Sequence, residues 1–116
     1  MGNAGSDMTD NHEPMTVTTS RTDDTAVITL AGELDLHSSD LLAATVDDAL
    51  RSAPRVVQID AGDLTFADSA GLRALLSARE TAEQQGVVLR LGPISPALGR
   101  LLDMTGLREV FDIPTA

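Results

Sequence analysis

The sequence predicts a small α/β domain, a mixed sheet opened by an antiparallel hairpin and continued by alternating helices and strands. Three observations predict it. Two β-branched runs near the start are separated by a short acidic turn. Two amphipathic stretches of helical length each close at a proline or a glycine. After each of them a short Val/Ile/Leu run follows, so each helix returns the chain to a parallel neighbour by a right-handed crossover.

Residues 1–13 are Gly, Asn, Asp, Ser and His with almost nothing to bury, an acidic leader predicted to be disordered; the domain covers 14–116. Met15–Ser20 forms a first strand, Thr22-Asp23-Asp24 a turn, and Thr25–Ala31 a more apolar second strand, ended by Gly32, with the first strand nearer the edge. Ser38 or Ser39 caps a helix running to about Ala53, with Asp40 placed favourably for the helix dipole. Leu42, Val46, Ala49, Leu50 and Ala53 form its apolar face, and Asp47 and Arg51 sit four apart on the wet side. Pro54 stops this helix, and Arg55–Asp60 is a third strand.

Asp68 caps a second helix from Ser69 to about Gln85, closed by Gly86. Leu72, Leu75, Leu76 and Ala82 face inward, with Arg73, Ser77, Glu80 and Gln84 on the other side. Val87–Leu91 is a fourth strand. Pro96 starts a third helix through Leu102, Gly106 stops it, and Val110–Ile113 reads as a last short strand.

Composition narrows the functions. At 116 residues there is length for one domain, and an aromatic content of 2% makes its core aliphatic. Without Cys there is no disulfide framework, thiolate nucleophile or Cys-ligated metal centre. All eight basic residues are Arg, which removes a Schiff-base lysine and a Walker-type phosphate loop. Two histidines, His12 and His37, are too few for a His-rich metal site or a relay. No metal, cofactor or catalytic residue is expected.

The net charge of −10 repels a phosphate backbone or an anionic membrane, and no base-stacking platform is available. No secretory signal or membrane-spanning run is visible, so a cytoplasmic protein is expected. Met1-Gly2-Asn3-Ala4-Gly5-Ser6 fits a myristoylation template, but its acidic surroundings (Asp7, Asp10, Glu13) favour reading it as a flexible leader. A monomer is expected, because no strand carries a long apolar edge.

The most informative stretch is Leu64-Thr65-Phe66-Ala67-Asp68-Ser69-Ala70-Gly71-Leu72. It places Ser69 in the first turn of a helix, where unpaired backbone N–H groups and the positive dipole end can hold a phosphate. Gly71 would leave the backbone bare beside that hydroxyl. The plainer reading is that Asp68 and Ser69 are capping residues, which composition alone favours. Ala67–Gly71 also imitates a nucleophile elbow, yet Ala67 replaces its first Gly and no His follows Ser69. His37 reads better as an exposed loop residue than as a general base.

Gly32-Glu33-Leu34-Asp35, the Leu64–Leu72 stretch, Ser95-Pro96-Ala97 and Arg100–Leu107 follow one another at fixed spacing. Together they closely resemble the STAS domain, and within it the bacterial anti-sigma factor antagonists, including the sporulation-type ones, over about residues 15–113. The resemblance implies a regulator of transcription that works by partner switching, not an enzyme. The partner it implies is an anti-sigma factor that is also a serine kinase of the histidine-kinase-like ATPase type. Binding frees the sigma factor, phosphorylation of the antagonist ends the complex, and a serine phosphatase resets it. On this resemblance Ser69 is the phosphoacceptor, Asp68 precedes it, Gly71 is the backbone gap and Asp35 matches a loop aspartate near the acceptor.

The implied partner face is the exposed side of the second helix with the loop before the first. There Arg73, where the best-known members often have Gly, can pair with a phosphate on Ser69 or an acid on the partner. Many relatives continue into another helix after the last strand, whereas this sequence ends Pro114-Thr115-Ala116. The alternative reading is a STAS subunit of another complex, a lipid-transport ATPase or a stress-signalling assembly, without a Ser69 switch.

Overall fold

Alternating β-branched residues make Thr16–Thr22 (β1) and Thr25–Leu34 (β2) an antiparallel hairpin, with Thr22 opposite Thr25. Its two-residue turn needs a positive φ, and Asp23 takes it at 54°. These features come from a computed structural model of the chain, which describes residues 14–111. The leader, the Met1–Ser6 pattern and His12 lie outside the described residues, as do Asp112, Ile113 and the end of the chain.

After the hairpin come a 3-10 turn at Leu36–Ser38 and three helices, Ser39–Arg51 (α1), Ser69–Gln84 (α2) and Pro96–Thr105 (α3). Strands Val56–Ala67 (β3) and Val88–Ile94 (β4) alternate with them, and the sheet order is β1-β2-β3-β4. Both β2–β3 and β3–β4 pair in parallel, so β2, β3 and β4 all release their turns at one end of the sheet. That shared end is where the candidate site forms.

Burial follows the period of two on β2, where Ala26, Ile28, Leu30, Gly32 and Leu34 are buried and the residues between them half-buried. Val57 and Ile59 of β3 and Leu89 and Leu91 of β4 extend the same aliphatic layer. The helices cover it with Leu42, Val46 and Leu50 from α1, Leu72 and Leu75 from α2, and Leu98 and Leu102 from α3. The edge strand β1 is exposed at every position but Val17.

Several boundaries differ from the sequence reading. Gly32 does not end β2, which runs on to Leu34, and β3 continues through Ala67 instead of stopping at Asp60. Register shifts near Thr29 and Gly32 absorb the extra β3 residues, an irregularity that a strict period of two cannot reveal. Helix α1 stops at Arg51, and Ala53, expected on the apolar face, is exposed with φ 52° as the chain turns into Pro54. Asp47 and Arg51 both lie on the exposed side, as expected, and Arg51 pairs with Asp48.

The strand expected over 110–113 is a 3-10 turn at Glu109–Phe111 as far as the described residues run. Gly106 takes the left-handed conformation (φ 72°) after α3, Leu107 N–H returns to the Leu102 carbonyl, and Val110 N–H bonds that of Leu107. This winding turns the buried Phe111 ring into the core. An extended chain there would have given up that apolar burial.

Candidate functional site

Leu34 and Ala67 are the last paired rung between β2 and β3, and the Asp68 N–H extends the ladder by donating to the Leu34 carbonyl at 3.2 Å. Asp35 follows one strand and Asp68 the other, so parallel pairing alone sets the two aspartates side by side. The sequence reading placed them together, and the sheet register does so.

Asp35 is held rigidly. Its carboxylate accepts from the Ser38 N–H at 3.1 Å, and the Ser38 hydroxyl accepts from the Asp35 N–H at 2.8 Å. This reciprocal box caps the 3-10 turn that leads into α1; Ser38 holds the N-cap position of α1 as expected, but its side chain makes no capping bond there. The Asp35-Leu36-His37-Ser38 spacing was the available signal for the box. Ser39 donates its hydroxyl back to the Asp35 carbonyl at 2.9 Å.

Asp68 has an extended backbone (φ −119°) and accepts the Gly71 N–H at 2.9 Å, which makes it the N-cap of α2. Ser69 is consequently the first helical residue and not the cap. Its side chain is exposed, and among the described residues its hydroxyl has no hydrogen-bond partner. The capping explanation applies to Asp68 and leaves the Ser69 hydroxyl available for chemistry.

Gly71 is needed for a different reason from the one its position in the motif suggests. A Cβ on it would lie 2.4 Å from the Leu34 carbonyl oxygen and 2.8 Å from Leu34 Cγ. It is buried, and its N–H is committed to Asp68. The bare backbone expected beside the hydroxyl for a partner is therefore covered by Leu34, and Gly71 serves the close approach of α2 to β2.

Arg73 lies one turn beyond Ser69, exposed and without an ion-pair partner among the described residues. It stands on the rim of a groove of about 310 Å³ between α1 and α2. Two apolar side chains near the site escaped the sequence reading. Leu36, in the turn after Asp35, is 70% exposed, and Phe66, just before Ala67 and Asp68, is 43% exposed. The register shift near Gly32 takes Phe66 out of the inward alternation that Leu64 obeys.

Among the described residues no cluster of three or more His, Cys, Asp or Glu side chains could hold a metal ion. No helix is long and apolar enough to cross a membrane.

Residues 17–113 match the family model described as Mlab, STAS domain. The chain belongs to the STAS domain family. Among its STAS relatives, the anti-sigma F factor antagonist of Paenibacillus polymyxa is 34% identical over 89 residues, 75% of each chain. The anti-sigma-B factor antagonist of Bacillus subtilis is 31% identical over 86 residues, 74% of this chain and 78% of the relative. Among solved structures, the anti-sigma factor antagonist SpoIIAA in its unphosphorylated form superimposes with a TM-score of 0.67. Its identity is 26%, over 79% of this chain and 82% of that one. The phosphorylated form of SpoIIAA matches with a TM-score of 0.63 at the same identity, over 79% and 85% of the chains. These relatives are named as anti-sigma factor antagonists.

Proposed function

We propose that this STAS domain is an anti-sigma factor antagonist that binds an anti-sigma serine kinase, frees a sigma factor, and is switched off by phosphorylation at Ser69. One observation carries the reading: the Ser69 hydroxyl is exposed and unbonded at a helix start whose cap is already supplied by Asp68. The names of the relatives, and the existence of SpoIIAA in a phosphorylated form, support it.

Charge explains the release. A phosphate adds roughly −1.5 to −2 charge at neutral pH. It would sit beside Asp68 and the neighbouring Asp35, on a chain already at −10. Desolvating such a dianion against like charges at an interface costs several kcal/mol, a large part of the roughly 8 kcal/mol that holds a micromolar complex. The helix start itself tolerates the phosphate, since its first N–H groups lack intrahelical partners. Ejection is therefore electrostatic and leaves the backbone in place. A serine phosphatase then resets the domain.

Wild-type, Ser69→Ala and Ser69→Asp proteins used as baits in the source cells test this directly. A histidine-kinase-like anti-sigma factor should be recovered by the first two and not by Ser69→Asp. Equal recovery by all three baits, or recovery of transport ATPases, would return Ser69 to a structural role.

A further inference from the structure

Ser38 stands where a helix cap belongs and does something else. It holds the N-cap position of α1, yet its side chain donates nothing to that helix and accepts nothing from it. Its hydroxyl turns back to the chain leaving β2. There it accepts the Asp35 N–H at 2.8 Å and lies 3.0 Å from the Glu33 carbonyl oxygen. It is also 3.2 Å from both the Asp35 carbonyl oxygen and the Asp35 carboxylate. The Ser38 N–H donates to the same carboxylate oxygen at 3.1 Å, so one residue grips the backbone and the side chain of Asp35 together.

Burial sharpens the point. Among the described residues the buried polar side chains are Ser38 and Ser95. Ser95 gives its hydroxyl to the first turn of α3, as a cap does. Ser38 forgoes that stabilisation of α1, and its buried hydroxyl is committed to a half-buried aspartate instead. Asp35 in turn stands beside Asp68 just past the last rung of β2 and β3, and Ser69 is the next residue.

We infer that Ser38 is a positioning residue for the candidate switch, fixing the Asp35 carboxylate beside the acceptor turn for a protein partner to meet. A carboxylate without that grip samples several χ1 rotamers, and a partner that needs one of them binds more weakly by the fraction of time it is present. Holding it in advance removes an ordering cost from association. The inference rests on the antagonist reading for Asp35 as a partner contact; the rotamer of Asp35 does not depend on that reading.

The test reads the free chain and the complex. In the isotope-labelled full chain, the Hα–Hβ couplings of Asp35 should report one rotamer in the wild type and an average over rotamers in Ser38→Ala. Affinity for the anti-sigma factor recovered by the wild-type bait should fall about tenfold in Ser38→Ala. Made in an Asp35→Ala background, the same substitution should cost less than about twofold, because Ser38 acts through Asp35. Ser95→Ala removes the other buried serine and should change neither reading, which separates positioning from a general loss of stability. Couplings unchanged by Ser38→Ala, equal losses of affinity in the two backgrounds, or the same loss in Ser95→Ala would overturn the proposal. If no anti-sigma factor is recovered, the antagonist reading falls, and the couplings alone decide whether Ser38 sets the carboxylate.

Discussion

Two strand-to-helix turns leave the same end of the sheet, and they use serine differently. In the β4–α3 turn Ser95 is itself the N-cap, only 3% exposed, with its hydroxyl accepting the Leu98 N–H at 3.2 Å. In the β3–α2 turn the cap is Asp68, and Ser69, one position later, is exposed with no partner for its hydroxyl among the described residues. Each turn also has a buried glycine shortly after its cap, Gly71 and Gly99. A shift of one residue relative to the cap separates a serine that holds a helix from one whose hydroxyl has no partner among the described residues.

The glycines provide the largest way to sharpen the contrast. Gly71→Ala drives a Cβ to 2.4 Å from backbone atoms of Leu34, whereas at Gly99 the nearest atom is Nη2 of the flexible Arg108, at 3.3 Å. Alanine gains up to about 1 kcal/mol in helix propensity at either site, so the clash decides the outcome. We expect Gly71→Ala to lose about 3 kcal/mol in urea unfolding and Gly99→Ala to change by less than about 1 kcal/mol. Equal losses would mean that the two turns pack alike.

The serines come next. Ser95→Ala should cost roughly 1–2 kcal/mol, because it removes a cap and leaves the Leu98 N–H buried without a partner. Asp68→Ala should cost about 1 kcal/mol, and Ser69→Ala no more than about 0.5 kcal/mol. A Ser69→Ala loss as large as that of Ser95→Ala would make Ser69 a structural residue.

The smallest effect concerns the far end of α3. The hydrogen bond from Arg108 to Asp103, at 2.8 Å, holds the Asp103 carboxyl below the ordinary carboxylate range. A lowered folded-state pKa contributes stability that is present above the unfolded value and lost as pH falls through the folded one. Asp103 should therefore titrate at lower pH in the wild type than in Arg108→Gln, as followed by carboxyl chemical shifts. Identical midpoints would show that the pair does not form in solution.

Much of this organisation was legible in the sequence. Apolar spacing identified the first two helices, Pro96 and Gly106 bounded the third, Asp68 marked the start of α2, and the Asp-Ser-x-Gly stretch pointed to the candidate site. The sheet register then joined Asp35 to Asp68, something only parallel pairing of β2 with β3 can do. What escaped depends on tertiary packing. The β2–β3 register shifts lengthened a strand and exposed Phe66, and burial of Phe111 overrode local β propensity. The role of Gly71 became visible only once Leu34 lay against it. The groove is lined by residues of two separate helices, and no single stretch of sequence signals it.

The proposed switch requires the free hydroxyl beside the Asp68 cap to be the acceptor. Incubating the full chain with the captured anti-sigma kinase and ATP, then mapping phosphate by mass spectrometry, shows whether it is. The switch predicts one phosphate, located at Ser69, and none on the Ser69→Ala chain. Phosphate on another hydroxyl, or none despite stable binding of the kinase, would contradict it.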